Sequence, residues 1–179
     1  MKKIFLLPAI LSLCVVVGFL CQLILPGDLL FMGIRPRSLF GLSGVALSPF
    51  LHSGFSHLIS NLIPLFILSC FVNVIAPALF LQRTLILILL SGLLTWLASS
   101  SGLVVGASGL VFAFWAFLLT NAAIKKRFRD IAIAGLTLVF YGAMVFSLFR
   151  YQQGVSWVAH ISGVIAGIAL ATYSAKRVA

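Results

Sequence analysis

Acidic residues are almost missing from this chain. Asp28 and Asp130 are the only two carboxylates in 179 residues. That shortage leaves little material for a carboxylate-rich metal site or a third acidic member of a catalytic triad. Charged residues of both signs make up only 8% of the chain. Cysteines number three, Cys14, Cys21 and Cys70, all inside apolar runs. They show neither a disulfide framework nor metal-ligand spacing, so buried apolar packing is expected for each. Cys14 and Cys21 are seven apart and share a helix face.

What is present instead is apolar surface. Hydrophobic residues make up 63% of the sequence, and the mean hydropathy is +1.26. A soluble domain of this length cannot bury so much apolar area, so the chain is expected to be an integral membrane protein made almost entirely of spans. The net charge of +10 does not point to nucleic acid. The basic residues punctuate apolar runs and do not cluster on an aromatic-bearing polar surface.

Lys2 and Lys3 precede the apolar run Ile4 to Leu25. The run is too long for the core of a signal peptide and no A-x-A-like site follows it, so it reads as a first span and signal anchor. Pro26-Gly27-Asp28 ends it. Leu29 to Ser56 mixes Arg35, Pro36, Arg37, Pro49 and His52 with apolar residues. It reads as a long structured loop at the interface, with short helices. Further spans are expected over His57–Ile75 (interrupted by Pro64), Thr84–Ser99, Ser108–Ile124, Ile131–Phe149 and Trp157–Tyr173. Between them lie a turn from Pro77 to Arg83, a flexible turn from Ser99 to Gly102, a solvated charged turn from Lys125 to Asp130, and a loop from Arg150 to Gly154. The fold class is therefore all-α, with six transmembrane helices in a single membrane domain over residues 1–179.

Charge sets the expected topology. With the N-terminus inside, the inner side holds Lys2, Lys3, Arg83, Lys125, Lys126, Arg127, Arg129, Lys176 and Arg177, against Arg35, Arg37 and Arg150 outside. Six spans return the C-terminus to the inside. The starts of spans two, four and six then share the outer leaflet, and they carry His57, Ser108 and His160.

Ser108 lies in Gly106-Ala107-Ser108-Gly109, directly before the apolar run Leu110-Val111-Phe112. A small-residue turn opening into a helix places the hydroxyl where backbone N–H groups lack intrahelical partners. Such donors suit a developing oxyanion. Alone, so short a motif is better read as a small-residue helix start that allows close packing. His160 changes the balance, because an ionisable group inside a span is a functional hypothesis by default. Gly163 and Gly167 make a small face below it, and Gly109, Ala113 and Ala116 make a matching face beside Ser108. Pairing the two faces would bring His160 to Ser108, either as a structural hydrogen bond or as a base that activates the serine. Asp130 falls on the inner side and Asp28 in a loop, so a Ser–His dyad without a carboxylate is inferred. His57 and Asn61 are i and i+4, on one face of span two. With the Ser108 N–H they could form an oxyanion hole, or they could be a polar stripe satisfied by neighbouring helices. His52 is expected to order the first loop through backbone contacts.

Taken together, Gly106-x-Ser108-Gly109, His57-x-x-x-Asn61 and Ala159-His160-x-x-Gly163-x-x-x-Gly167 resemble the motifs of rhomboid intramembrane serine proteases. The resemblance covers nearly the whole chain. It implies that Ser108 is the nucleophile and His160 the general base. It further implies that the Ser108 backbone with the His57 and Asn61 side chains binds the oxyanion, that Gly106 belongs to a loop lining the site, and that Phe112 packs against the catalytic histidine. Span five and the loop from Arg150 to Gly154 resemble the family's mobile gate, with Gly142 and Gly154 easing its motion. The segment from Gly33 to Gly44 resembles the first loop of a compact bacterial subgroup and lacks the Trp-Arg pair of other relatives.

The implied substrates are transmembrane proteins with helix-breaking residues, cut near the outer leaflet, with a small residue before the cut. No cofactor, metal or nucleic acid is expected, and the lipid bilayer is the surrounding partner. The sequence carries no signal for an oligomeric state. The expected location is the bacterial inner membrane with both termini cytoplasmic. Two rivals are weighed: an inactive rhomboid-like protein that binds or escorts membrane proteins, and a small transporter. Retention of Ser108 and His160 counts against the first. The second would show inverted repeats or polar groups near mid-membrane, and neither is found.

Overall fold

The computed structural model describes residues 2–100, 102–149 and 156–176. The expected loop from Arg150 to Gly154, Ser101 and the terminal Arg177 lie outside the described residues. The helices are α1 (Lys2–Ile24), α2 (Ser43–Leu47), α3 (Phe55–Ile75), α4 (Phe80–Ala98), α5 (Ser108–Lys125), α6 (Phe128–Tyr141) and α7 (Trp157–Lys176). All but α2 take part in segments long and apolar enough to cross a bilayer, which makes six spans. Among the described residues the only β feature is one antiparallel bridge between Ile34 and Val104. The protein is an all-α, multi-pass membrane protein.

Apolar residues cover every face of these helices because lipid, not water, is the outer solvent. Helix α1 shows this most plainly, with Phe5, Leu13, Leu20 and Ile24 exposed along it. Cys14 and Cys21 are exposed on the same helix, and only Cys70 is buried. The expectation of buried packing for all three thus holds for Cys70 alone, because α1 lies at the edge of the bundle. Helix α5 is the centre. It touches α3, α4, α6 and α7, and Leu110, Phe114, Phe117 and Leu118 on it are fully shielded.

The tightest pairing is α5 with α7. A Cβ built on Gly163 would collide with the Gly109 carbonyl oxygen and stand 3.0 Å from Phe112 Cβ. One built on Gly167 would collide with the Ala113 carbonyl and stand 2.8 Å from the Phe117 nitrogen. The two backbones meet because neither glycine has a side chain to hold them apart. The contacts run in the same order along both helices, so α5 and α7 are parallel and their N-terminal ends share one end of the bundle.

The first loop is built from short 3-10 turns around α2 and packs into the same end. Gly44 lies against the Gly33–Ile34 backbone, and Gly92 of α4 against Val45. Trp96 Nε1 donates to the Ser38 carbonyl at 3.0 Å, and Arg37 Nη2 to the Ser100 carbonyl at 3.2 Å.

Three further expectations need correction. The stretch Pro77 to Arg83 is not a turn. Pro77–Leu79 is one 3-10 turn and α4 starts at Phe80, since proline suits the first turn of a helix. Arg83 is buried, its guanidinium 5.0 Å above the Phe117 ring. The charged turn is not solvated throughout either. Asp130 is fully buried, paired with Arg129 at 3.2 Å and accepting a hydrogen bond from Asn121 Nδ2 at 3.2 Å. A buried carboxylate requires such partners. The fifth span is α-helical only to Tyr141, and Gly142–Leu148 continues as 3-10 helix.

The helix pairing yields a test. Replacing Gly167 with Leu should destabilise the protein by about 1–3 kcal/mol or more, because the side chain must push α5 away. The Gly135→Ala change on α6 is the control: nothing lies within 4 Å of its would-be Cβ, so a gain of about 0.5–1 kcal/mol is expected. Thermal melts in detergent compare the two. Equal melting temperatures would contradict the close α5–α7 contact.

Candidate functional site

Ser108 is the first residue of α5, and the turn before it is held from three sides. Val104 exchanges backbone hydrogen bonds with Ile34, both at 2.9 Å. The Gly106 N–H donates to the Ser48 carbonyl at 2.8 Å. The Ala107 N–H points at His52 Nε2 at 3.5 Å. Gly106 has φ +113°, a conformation that glycine adopts without strain. A Cβ there would also stand 2.7 Å from His57 Nε2 and 3.5 Å from Asn61 Nδ2. The glycine therefore allows the turn to lie directly on the polar face of α3.

His57 and Asn61 occupy that face one turn apart. Asn61 is buried, and its Nδ2 donates to the His57 carbonyl at 3.0 Å. This fixes the amide with the nitrogen toward Gly106, and among the described residues its second hydrogen has no partner. The His57 ring is half-buried. Its Nδ1 meets Ser53 Oγ at 3.0 Å, while the Nε2 edge faces the turn.

His160 comes from α7. Its ring stacks on Phe112, with centroids 4.3 Å apart and planes at 23°. Phe112 is on α5 one turn after Ser108, so the α5–α7 contact itself orients the imidazole. Among the described residues no hydrogen bond reaches the buried His160 Nδ1, while the ring interacts with the Ser147 backbone. Ser108, His160, His57 and Asn61 all line one cavity of about 590 Å³. The rest of its wall is largely apolar, with Ile63, Val111, Tyr141 and Met144 among the lining residues. Ser147, from the 3-10 part of the fifth span, lines it too. Among the described residues no direct hydrogen bond joins Ser108 to His160, an arrangement common in enzymes before substrate tightens the site.

His52 is entirely buried and outside the spans. Its backbone is clamped by Gln22 of α1, whose Nε2 donates to the His52 carbonyl at 2.7 Å and whose Oε1 accepts from the His52 N–H at 3.2 Å. Its ring meets His57 edge-on, with centroids 5.0 Å apart. Burial, aided by the neighbouring His57, lowers its pKa from the ordinary 6.5 to about 4.

Of the residues singled out by sequence, the structure gathers Ser108, His160, His57 and Asn61 around the cavity. Gly106 and Phe112 touch its polar groups. Gly109, Gly163 and Gly167 bring α5 and α7 together, with the would-be Cβ of Gly109 only 3.4 Å from the Ala159 carbonyl. Sequence reading missed Gln22, Ser48 and Ser53. Ser53 could have been noticed, four residues before His57. Gln22 and Ser48 act across 30 and 58 residues of sequence and gave no local signal.

A bundle of six apolar spans with three polar helix starts around one pocket defines a multi-pass membrane protein with a partly enclosed polar site. Residues 40–177 match the Rhomboid domain, and the chain belongs to the rhomboid family. An uncharacterized protein of Mycobacterium bovis is 36% identical over 148 residues, covering 78% of this chain and 62% of its own. An uncharacterized protein of Mycobacterium tuberculosis shows the same values. One from Mycobacterium leprae is 32% identical over 148 residues, covering 78% of this chain and 59% of its own. The chain thus spans about three-fifths of the length of these relatives.

The buried histidine gives a pH test. Below pH 6.5 the unfolded chain takes up a proton at His52 that the folded protein refuses until about pH 4. Stability from this group is therefore full above pH 6.5 and declines as the pH falls through that window. The melting temperature should drop between pH 6.5 and 4, and His52→Gln should lessen the drop. An identical acid slope in the variant would show that His52 does not contribute.

Proposed function

We propose that the protein is an intramembrane serine endopeptidase that cleaves transmembrane segments of other membrane proteins. The observation that carries this reading is the convergence of Ser108, His160, His57 and Asn61, from three helices, on one cavity. Family membership supports it.

In this reading His160 takes the proton of Ser108 Oγ as the oxygen attacks a peptide carbonyl. The Ser108 N–H, at the start of α5, is free of intrahelical bonding. It holds the resulting oxyanion together with His57 Nε2–H and the second hydrogen of Asn61 Nδ2. The tetrahedral intermediate collapses to an acyl-enzyme as the C–N bond breaks, and His160 returns the proton to the leaving amine. Water then repeats the sequence in reverse on the ester. The substrate enters as extended chain, since a helix ties up its carbonyls. Segments with helix-breaking residues unwind most readily, and a small residue before the cut is preferred. The 3-10 stretch Gly142–Leu148 borders the cavity and serves as the mobile gate.

We place the protein in the bacterial inner membrane with both termini cytoplasmic and the site at the outer leaflet, on the asymmetry of Lys and Arg between the loops. A topology reporter fused after Leu47 should then read outside and one fused after Arg129 inside. The opposite pattern would overturn this orientation.

The alternative is an inactive rhomboid-like protein that binds or escorts membrane segments. The missing direct Ser108–His160 hydrogen bond is the observation in its favour. A fluorophosphonate decides between them. The wild type should be labelled on Ser108, with Ser108→Ala unlabelled and His160→Ala nearly so. Asn61→Ala should label and turn over about 10- to 1,000-fold more slowly, the range for one side-chain donor in a partly redundant oxyanion hole, with KM and melting temperature little changed. No labelling of the folded wild type, or a melting-temperature loss that accounts for the whole Asn61 effect, would count against the reading.

A further inference from the structure

His57 can donate to an oxyanion from Nε2 only in the tautomer that carries its proton there, because a neutral imidazole has one N–H. With the proton on Nδ1, a lone pair would face the negative charge. The Nε2 edge is the one turned toward Gly106 and the cavity. The choice of tautomer is therefore made at Nδ1, on the other side of the ring.

Among the described residues the Nδ1 partner is Ser53 Oγ, at 3.0 Å. The other polar contacts of His57 go to its backbone: Ser60 Oγ and Asn61 Nδ2 both donate to its carbonyl. His52 touches the ring edge-on without a hydrogen bond. We propose that Ser53 is a positioning residue, whose hydroxyl donates to His57 Nδ1 and holds the proton on Nε2, aimed into the cavity. This rests on the reading of His57 as an oxyanion donor. A hydroxyl suits the task because it donates to Nδ1 without adding a charge beside the site. Ser53 sits in the bend before α3 and is exposed, so its replacement leaves the packed core intact.

The experiment combines kinetics with nitrogen NMR on ¹⁵N-histidine-labelled protein in detergent, assigned by comparison with His57→Ala. In the wild type, Nδ1 of His57 should resonate as an unprotonated acceptor and Nε2 as a protonated donor. In Ser53→Ala the two nitrogens should shift toward a mixture of tautomers. Its kcat should fall about two- to tenfold, the scale of one hydrogen bond, with KM and melting temperature unchanged. Ser53→Thr, which keeps the hydroxyl, should restore both signals and kcat. A proton found on Nδ1 in the wild type overturns the proposal. So does a Ser53→Ala protein with wild-type spectrum and kcat while His57→Ala has lost activity. If His57→Ala keeps full activity, the oxyanion role of His57 falls as well, whatever the tautomer.

Discussion

Everything at the site depends on how closely α5 and α7 approach. In lipid no hydrophobic force drives helices together, so their association rests on van der Waals contact. Gly163 against the Gly109 carbonyl and Gly167 against the Ala113 carbonyl bring the backbones into direct contact. That contact sets two things at once. It places His160 at the level of Ser108, and it presses the imidazole onto Phe112 at 4.3 Å. A larger side chain at either glycine would separate the pair and free the ring together.

The second constraint is irregular backbone in a membrane protein. A loop in or near lipid must satisfy its own N–H and C=O groups. Here the long first loop does so by tying itself to two helices, α1 and α4, and to the turn before α5. Gln22 of α1 makes both hydrogen bonds to the His52 backbone, Trp96 of α4 caps Ser38, and Ile34 pairs with Val104. The same ties carry the Gly106 turn onto the His57–Asn61 face of α3. The loop thus braces the turn before Ser108 from outside the cavity, through the Ser48 carbonyl, the His52 ring and the Ile34 backbone.

Much of this was legible in the sequence, for a physical reason in each case. Apolar runs of span length reveal transmembrane helices because bilayer thickness sets their length. The histidines were conspicuous because ionisable groups in lipid are costly. The pairing of spans four and six was readable from Gly163 and Gly167, since small residues mark the close contacts. What stayed hidden acts through space. Arg83 looked like a turn residue because no local pattern announces the Phe117 ring beneath it. Asp130 looked solvated because Asn121 of α5 reaches it, and the protein covers it, only after α5 and α6 pack; the adjacent Arg129 alone reads as an ordinary surface charge. Neither Gln22 nor Ser48 has a sequence neighbour that hints at its role.

The placement of Asp130 bears on the chemistry as well. One of the chain's two carboxylates is held by Arg129 and Asn121 at the end of α5 remote from Ser108. The other, Asp28, accepts from the Leu30 N–H and caps a 3-10 turn of the first loop. Neither is placed to orient His160. In triad enzymes a buried aspartate both fixes the imidazole and stabilises the imidazolium formed during attack, and its loss costs roughly 10⁴ in kcat. Phe112 supplies the first of these functions by stacking, without the cost of a further charge among the spans. It supplies little of the second. The proposed reaction then leans on what remains: the free N–H of Ser108, the His57 and Asn61 donors, and a cavity whose apolar walls strengthen each of those hydrogen bonds. On that proposal, the close seating of the Gly106 turn on the polar face of α3 is where a substitution would be felt first.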